Sequence, residues 1–387
     1  MSDLLGPGPG PGQGADGFAR LVRERRIIVC CGSGGVGKTT TAAVVALEGA
    51  RLGRRTVVVT IDPAKRLADA LGLAGLSDTP SRIDGEWPGE LWATMLDTKS
   101  TFDALVAKYG ATPEQSRRIL ANRFYRNISG ALSGTQEYMA MEKLYELHEE
   151  TDFDLVVVDT PPTRHALDFL DAPRRLSRFL DHRLFRLLMA PSRGIVRAVN
   201  VAAQTFLRTV SKVVGGDVVD DAIAFFQAFE GMEEGFRLRA QRVNELLAAP
   251  ETAFLLVASP RRDTVAEAHF FADRLAEAGI EVEGLIVNRV HPPFAEGLPE
   301  ALAERARTLA GTDIGGLYRN LADFELVGSR ERRHLAGLAE AVAPAPLAWV
   351  PFLGSDVHDL AGMAEVAAHV FPTGNLQGTT AAAWREP

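Results

Sequence analysis

Six short, almost continuously apolar runs stand out along the chain, at 27–31, 56–61, 155–158, 253–258, 285–287 and 347–350, most of them β-branched and bounded by Gly, Asp or Pro. Runs without polar alternation predict strands covered on both faces, the habit of a parallel sheet. Between them, residues 42–52, 136–149, 263–278 and 359–370 place apolar side chains three and four apart, which is helical spacing. Strand and helix alternate, so the expected fold is α/β, with a doubly wound, mainly parallel sheet.

Two stretches break the alternation. Residues 102–132 are short on strand signals, and residues 174–247 carry a helical pattern without a clear β-run. In the second, Leu176, Leu180, Leu184 and Leu188 recur at i, i+4, followed by Phe225, Phe226, Phe229, Met232 and Phe236. This reads as a helical insertion subdomain. Its apolar stripe has two readings, core or a groove for an apolar helix. Its first half, from Arg174 to Lys212, is basic with Asp181 as its lone acid, a composition that attracts acidic partners or anionic lipid. At the chain ends, Gly and Pro alternate within 1–17, and 372–387 has no pattern, so both are expected to be disordered tails around a domain at 18–371.

Apolar residues at 46% and charged residues at 24% are ordinary values, which disfavours collagen-like and wholly disordered classes. The 42 basic residues are outnumbered by 50 acidic ones, a net charge of −8, so nucleic acid is not an expected partner. Cys30 and Cys31 are the two cysteines, adjacent and outside any CxxC pair, which excludes a disulfide framework and cysteine-held zinc or iron–sulfur sites. A reducing, cytoplasmic compartment is expected. No run approaches the ~18 apolar residues of a spanning helix, and no signal-peptide pattern opens the chain, so neither export nor membrane insertion is expected.

The first strand runs into Gly32-Ser-Gly-Gly-Val-Gly37-Lys38-Thr39, which fits the phosphate-binding pattern G-x-x-x-x-G-K-[ST]. Gly34, Gly35, Val36 and Gly37 supply main chain able to wrap phosphate oxygens, ahead of the positive end of a helix. Lys38 is expected to reach the β and γ phosphates, Thr39 to place its hydroxyl on Mg²⁺, and Thr40 to meet the α phosphate. Gly32, Gly34 and Gly37 also satisfy the dinucleotide pattern G-x-G-x-x-G, with Asp62 near the distance of a ribose-binding acid. That shorter motif is less specific, and Lys38-Thr39 directly after the last glycine favour a nucleoside triphosphate.

Two aspartates close strands. Asp159 ends the run Phe153-Asp-Leu-Val-Val-Val-Asp159, where an acid can hold Mg²⁺ beside the phosphate loop, unless it is a plain turn residue. Asp62 lies in Thr60-Ile-Asp-Pro-Ala64, where it can also cap the helix that follows.

Taken together, these segments resemble the ArsA-like ATPases, the family of the arsenite-pump ATPase and the tail-anchored-protein targeting factor. The resemblance covers most of residues 25–371. It rests on Gly34-Gly-Val-Gly-Lys-Thr-Thr40, Thr60-Ile-Asp-Pro-Ala64, Asp159-Thr-Pro-Pro-Thr-Arg-His165, Val287-Asn288-Arg289 and Val350-Pro-Phe-Leu353. It implies a P-loop Mg-ATPase that dimerises, with Asp62 orienting or activating the attacking water and Asp159 near the metal. Asn288 would then read adenine, with Pro351 and Phe352 packing on its edge. Switch movements would couple hydrolysis to a cargo-handling helical subdomain.

Three departures qualify it. Ser33 stands where such proteins usually carry a lysine that contacts phosphate across the dimer, and a hydroxyl is too short to replace it. Either Arg164, in catalysis as an arginine finger, or a lysine-bearing ArsA-like relative in a heterodimer would have to supply the charge; the alternative for Arg164 is a solvated surface side chain. The zinc-clasp CxxC is missing, and Cys30 and Cys31 point to opposite faces of their strand, so they cannot chelate arsenite together. The expected function is an ATP-hydrolysing dimeric switch coupled to a hydrophobic or membrane-protein cargo, cytoplasmic or peripheral to the membrane. The alternatives are a regulatory ATP-binding subunit with little hydrolysis of its own, or a partition ATPase on DNA or membrane.

Overall fold

The run Ile-Ile-Val-Cys-Cys forms the middle of the molecule because its side chains are wanted on both sides. In the computed structural model, which describes residues 11–62, 66–128, 135–161, 178, 216–292, 294 and 299–372, it becomes β1 (Ile27–Gly32), buried along its whole length. Ile27, Val29 and Cys31 enter one core layer, and Ile28 and Cys30 enter the other. The period-2 alternation of a strand therefore sends the two cysteines to opposite faces, as expected.

The first half of the chain adds α1 (Pro11–Glu24), α2 (Lys38–Arg51), β2 (Arg55–Thr60), α3 (Arg66–Ala70), β3 (Ser81–Ile83) and β4 (Glu90–Met95). Then follow α4 (Thr98–Tyr109), α5 (Pro113–Ala121), α6 (Arg123–Ile128), α7 (Thr135–Glu149) and β5 (Leu155–Asp159). Beyond the insertion's first half come α8 (Gly216–Ala228), α9 (Glu233–Leu247), β6 (Thr252–Ala258), α10 (Arg262–Glu277) and β7 (Val282–Val290). The chain closes with α11 (Pro299–Thr308), α12 (Asp313–Ala341), β8 (Leu347–Pro351) and α13 (Leu360–Val370).

The eight strands form one sheet in the order β3-β4-β2-β5-β1-β6-β7-β8. Every pairing is parallel except β3 with β4. One face is covered by α1, α2 and α13, the other by helices that include α7, α9 and α10. That is the doubly wound α/β architecture expected from the alternation. The order places β1 between β5 and β6, so the loop after β1 opens where neighbouring connections leave in opposite directions, the usual ligand crevice of such sheets.

Besides α1 and α4 to α6, four elements went unforeseen. Strand β4 carries Glu90 and Ala93 in place of a β-branched run, and β3 is three residues long, so neither has a strand's sequence signal. They form because β2 offers a free edge, and Glu90 is held there by Arg55 at 3.0 Å. Helices α11 and α12 pack on each other, and α12 also packs on α10, a tertiary arrangement.

The expected N-terminal tail is corrected in part: α1 begins at Pro11, inside 1–17. Phe18, Leu21 and Val22 are buried, and the Phe18 ring meets Phe371 edge to face at 6.5 Å, so burial overrides the Gly/Pro composition. Residues 1–10 and 373–387 lie outside the described residues. So does most of the insertion's basic first half. In its described part the apolar stripe is core: Phe225, Phe229, Met232 and Phe236 are buried, and Phe236 packs against Phe102 and Tyr109 of α4. The gap at 102–132 is filled, over its described residues, by α4, α5 and α6.

Candidate functional site

The loop from Ser33 to Gly37 leaves β1 and enters α2, with Gly34 and Gly35 exposed. Gly37 has φ 96°, a left-handed conformation, and a Cβ there would lie 2.2 Å from the Asn288 side chain. A side chain would meet both penalties, so glycine is required at this position. Lys38 is buried, and its Nζ donates to the Ser33 carbonyl oxygen at 2.7 Å, curling the side chain back along the loop. Burial lowers its pKa, opposed by the nearby charge of Asp159. Thr40 lies half-buried in the first turn of α2.

The two strand-end aspartates are joined. Thr39 Oγ1 donates to Asp159 Oδ2 at 2.8 Å, and Thr60 Oγ1 donates to the same oxygen at 2.9 Å. Thr60 Oγ1 in turn accepts from the Asp62 main-chain N–H at 3.2 Å, and the Asp62 carboxylate pairs with Arg66 at 3.0 Å. Parallel pairing of β2 with β5, which sets Thr60 opposite Asp159, is what brings them together. Burial pushes Asp159 up to about 6, with the two hydroxyls and Lys38 pulling the other way. Its Oδ1 is buried and has no hydrogen-bond partner among the described residues.

A buried carboxylate with one orphaned oxygen beside a threonine hydroxyl suits a hard divalent cation. No group of three or more metal-ligating side chains occurs among the described residues. The Thr39 hydroxyl and the Asp159 carboxylate are hard oxygen donors that fit Mg²⁺, which binds through one or two protein oxygens and takes the rest from water and phosphate. Thr39 and Asp159 are the residues that would hold it.

The adenine-side candidates also converge. The pairing of β7 with β8 is irregular between Val287 and Val290, and Asn288 and Arg289 sit in that irregularity. Asn288 Nδ2 donates to the Val36 carbonyl at 2.9 Å, and Arg289 donates to the Gly35 carbonyl at 3.0 Å. Pro351 pairs with Val290, and the Phe352 N–H donates to the Val290 carbonyl at 2.9 Å. The Phe352 ring is 62% exposed and faces His291 at 6.3 Å. Asn288, Pro351 and Phe352 thus lie on one side of the loop. Arg164 lies outside the described residues.

Sequence reasoning missed three contacts. Ser33 is buried and its hydroxyl donates to Glu267 of α10 at 2.5 Å. Thr60, at the end of β2, could have been flagged as the neighbour of a parallel strand end. Arg289 adjoins Asn288 but carries no pattern of its own.

Comparison with known proteins shows the family. A family model described as anion-transporting ATPase matches residues 25–308. An ATPase ASNA1 homolog of Dictyostelium discoideum is 26% identical over 263 residues, 68% of this chain and 71% of the relative. Protein SCO2128 of Streptomyces coelicolor is 30% identical over 288 residues, covering 73% and 68% of the two chains. ATPase ARSA2 of Chlamydomonas reinhardtii is 25% identical over 317 residues, covering 79% and 78%. With the match spanning the phosphate loop, both strand-end aspartates and Asn288, the chain belongs to the anion-transporting ATPase family, and with it to the enzymes that hydrolyse ATP.

Proposed function

We propose that this protein is a Mg²⁺-dependent ATPase that works as a dimeric switch, with hydrolysis felt by the helical insertion and a hydrophobic or membrane-protein cargo. The observation that carries the reading is the run of hydrogen bonds from Thr39 through Asp159 and Thr60 to Asp62, which ties the metal-side residues to the water-side residue.

In this reading the loop from Gly34 to Gly37 cradles the phosphates, and Thr40 meets the α phosphate. Lys38 swings from the Ser33 carbonyl to the β and γ phosphates, exchanging one hydrogen bond for charge-assisted ones. When bound, Mg²⁺ neutralises charge on the phosphate oxygens and fixes their orientation. Asp62 accepts a hydrogen bond from the water whose oxygen bonds the γ phosphorus as the bond to the bridging oxygen breaks, releasing ADP and inorganic phosphate, with the water's proton passing to the phosphate or to solvent. Asn288 leaves the Val36 carbonyl to read adenine, with Pro351 and Phe352 against the base edge.

The charge that Ser33 does not supply comes from Arg164 in a homodimer, or from a lysine-bearing ArsA-like relative in a heterodimer. The second of these corresponds to a regulatory subunit that binds ATP and scarcely hydrolyses it. Ser33 favours keeping that reading, because its hydroxyl is already committed to Glu267. No described helix is long and apolar enough to cross a membrane. The buried free thiols Cys30 and Cys31 favour a reducing, cytoplasmic setting, and the net charge of −8 argues against nucleic acid as partner.

The test is the ATPase rate per molecule at saturating Mg-ATP as the chain's own concentration rises, with Asp62→Asn as control. A rate that climbs with concentration and collapses in the variant supports the homodimeric enzyme. A near-zero rate with measurable ATP binding supports the regulatory subunit, and absence of ATP binding refutes both.

A further inference from the structure

Arg289 is held in a backbone conformation that its side chain disfavours. Its φ of 61° is the one positive value among the described non-glycine residues. Such a conformation persists where surrounding contacts over-determine it, and is characteristic of functional positions. The constraint here is visible: the Arg289 N–H donates to Asn288 Oδ1 at 2.9 Å, and both residues sit at the register shift of the β7–β8 pairing with their side chains bonded to the phosphate loop.

The guanidinium ends on the Gly35 carbonyl at 3.0 Å and is exposed. A carbonyl takes one of the five N–H donors of an arginine, so the group has capacity for an anion beside the same glycine. The charges around the loop call for one. Lys38 is the cation inside the cradle, Arg66 is paired with Asp62, and the Ser33 hydroxyl brings the carboxylate of Glu267 against the loop's other flank. A nucleoside triphosphate adds several negative charges to that acidic surrounding.

We propose that Arg289 is a phosphate-contacting residue for the nucleoside triphosphate, leaving the Gly35 carbonyl to bond a non-bridging phosphate oxygen of ATP bound to its own loop. The left-handed backbone at Arg289 accompanies a guanidinium that reaches the exposed Gly35 of the phosphate loop. The proposal rests on the ATP-binding reading above.

The experiment compares Mg-ATP and adenosine binding by calorimetry in the wild-type chain and in Arg289→Gly. Glycine tolerates the left-handed conformation, so this variant removes the guanidinium while relieving the strain, and its melting temperature should not fall below that of the wild type. The expected result is a Kd for Mg-ATP raised roughly ten- to a hundredfold, the size of one charge-assisted hydrogen bond, with adenosine affinity unchanged. The dependence of Mg-ATP affinity on salt should also become shallower. Unchanged Mg-ATP affinity, or an equal loss for adenosine, overturns the proposal and leaves Arg289 as a brace for the loop. A wild-type chain without affinity for Mg-ATP overturns the ATP-binding reading itself.

Discussion

The hydroxyl of Thr39 donates to Oδ2 of Asp159 across 2.8 Å, joining the first turn of α2 to the end of β5. The remaining carboxylate oxygen, Oδ1, is buried beside it with no described partner. An unpaired buried oxygen is costly in the metal-free protein, and that cost has consequences that can be measured.

Asp159→Asn is expected to stabilise the metal-free protein while abolishing Mg²⁺-dependent turnover. The folded-state pKa of about 6 lies above the ordinary 3.8, so the native state binds the proton more tightly than the unfolded one. Stability contributed by the protonated acid is full below pH ~4 and is lost as pH rises to ~6, a change of up to ~3 kcal/mol. Thermal melts at pH 7.5 in EDTA should show the Asn variant melting higher, and melts at pH 4 should show the two converging.

The same proton competes with the metal. Above pH ~6 the affinity for Mg²⁺ with bound nucleotide should be flat, and below it the affinity should fall by about tenfold per pH unit, because a protonated Asp159 cannot ligate. A Mg²⁺ titration of ATPase rate or nucleotide fluorescence across pH 5 to 8 gives the profile. In Asp159→Asn this break should vanish.

Gly37→Ala is expected to weaken nucleotide binding by at least about tenfold through two costs, a left-handed backbone and a Cβ 2.2 Å from the Asn288 amide. Adding Asn288→Ala removes the clash but not the backbone strain. The double variant should therefore fold with a melting temperature above that of Gly37→Ala alone, without recovering nucleotide affinity.

The buried ion pair between Arg239 of α9 and Glu142 of α7, at 2.6 Å, holds the described part of the insertion to the sheet layer. Arg239 also lies over the Tyr145 ring at 3.6 Å, and Tyr138 donates to Glu142 at 2.5 Å. Burial pushes Glu142 up even with the guanidinium beside it. Arg239→Met strands that carboxylate and should cost ~3–5 kcal/mol, whereas Arg239→Met with Glu142→Leu should recover most of the loss. Chemical denaturation of the four proteins in the cycle measures the coupling.

The residues that meet at the centre of the protein were legible from the chain alone. A continuous apolar strand followed by glycines and Lys38-Thr39 has few physical solutions, because the backbone must turn sharply and present its amides to an anion. Asp62 and Asp159 were legible for a related reason: an acid directly after a buried strand surfaces at the carboxyl edge of the sheet, where such folds bind ligands. The six strands and the doubly wound class followed from the hydrophobic runs, although two-sided burial holds for the inner ones and not for β8, an edge strand that buries only alternate residues.

What the tertiary structure decided was proximity between distant segments. That Thr60 shares an oxygen with Thr39 depends on β2 lying beside β5, and that Ser33 meets Glu267 depends on where α10 packs. The strands β3 and β4, the ordering of Pro11 to Gly17 into α1, and the aim of Arg289 at Gly35 were likewise set by neighbours rather than by local preference. Local sequence encodes periodicity and backbone permission, both properties of contiguous residues. Hydrogen bonds across hundreds of residues, and the electrostatics of a buried carboxylate, exist only after burial has chosen which side chains share a space.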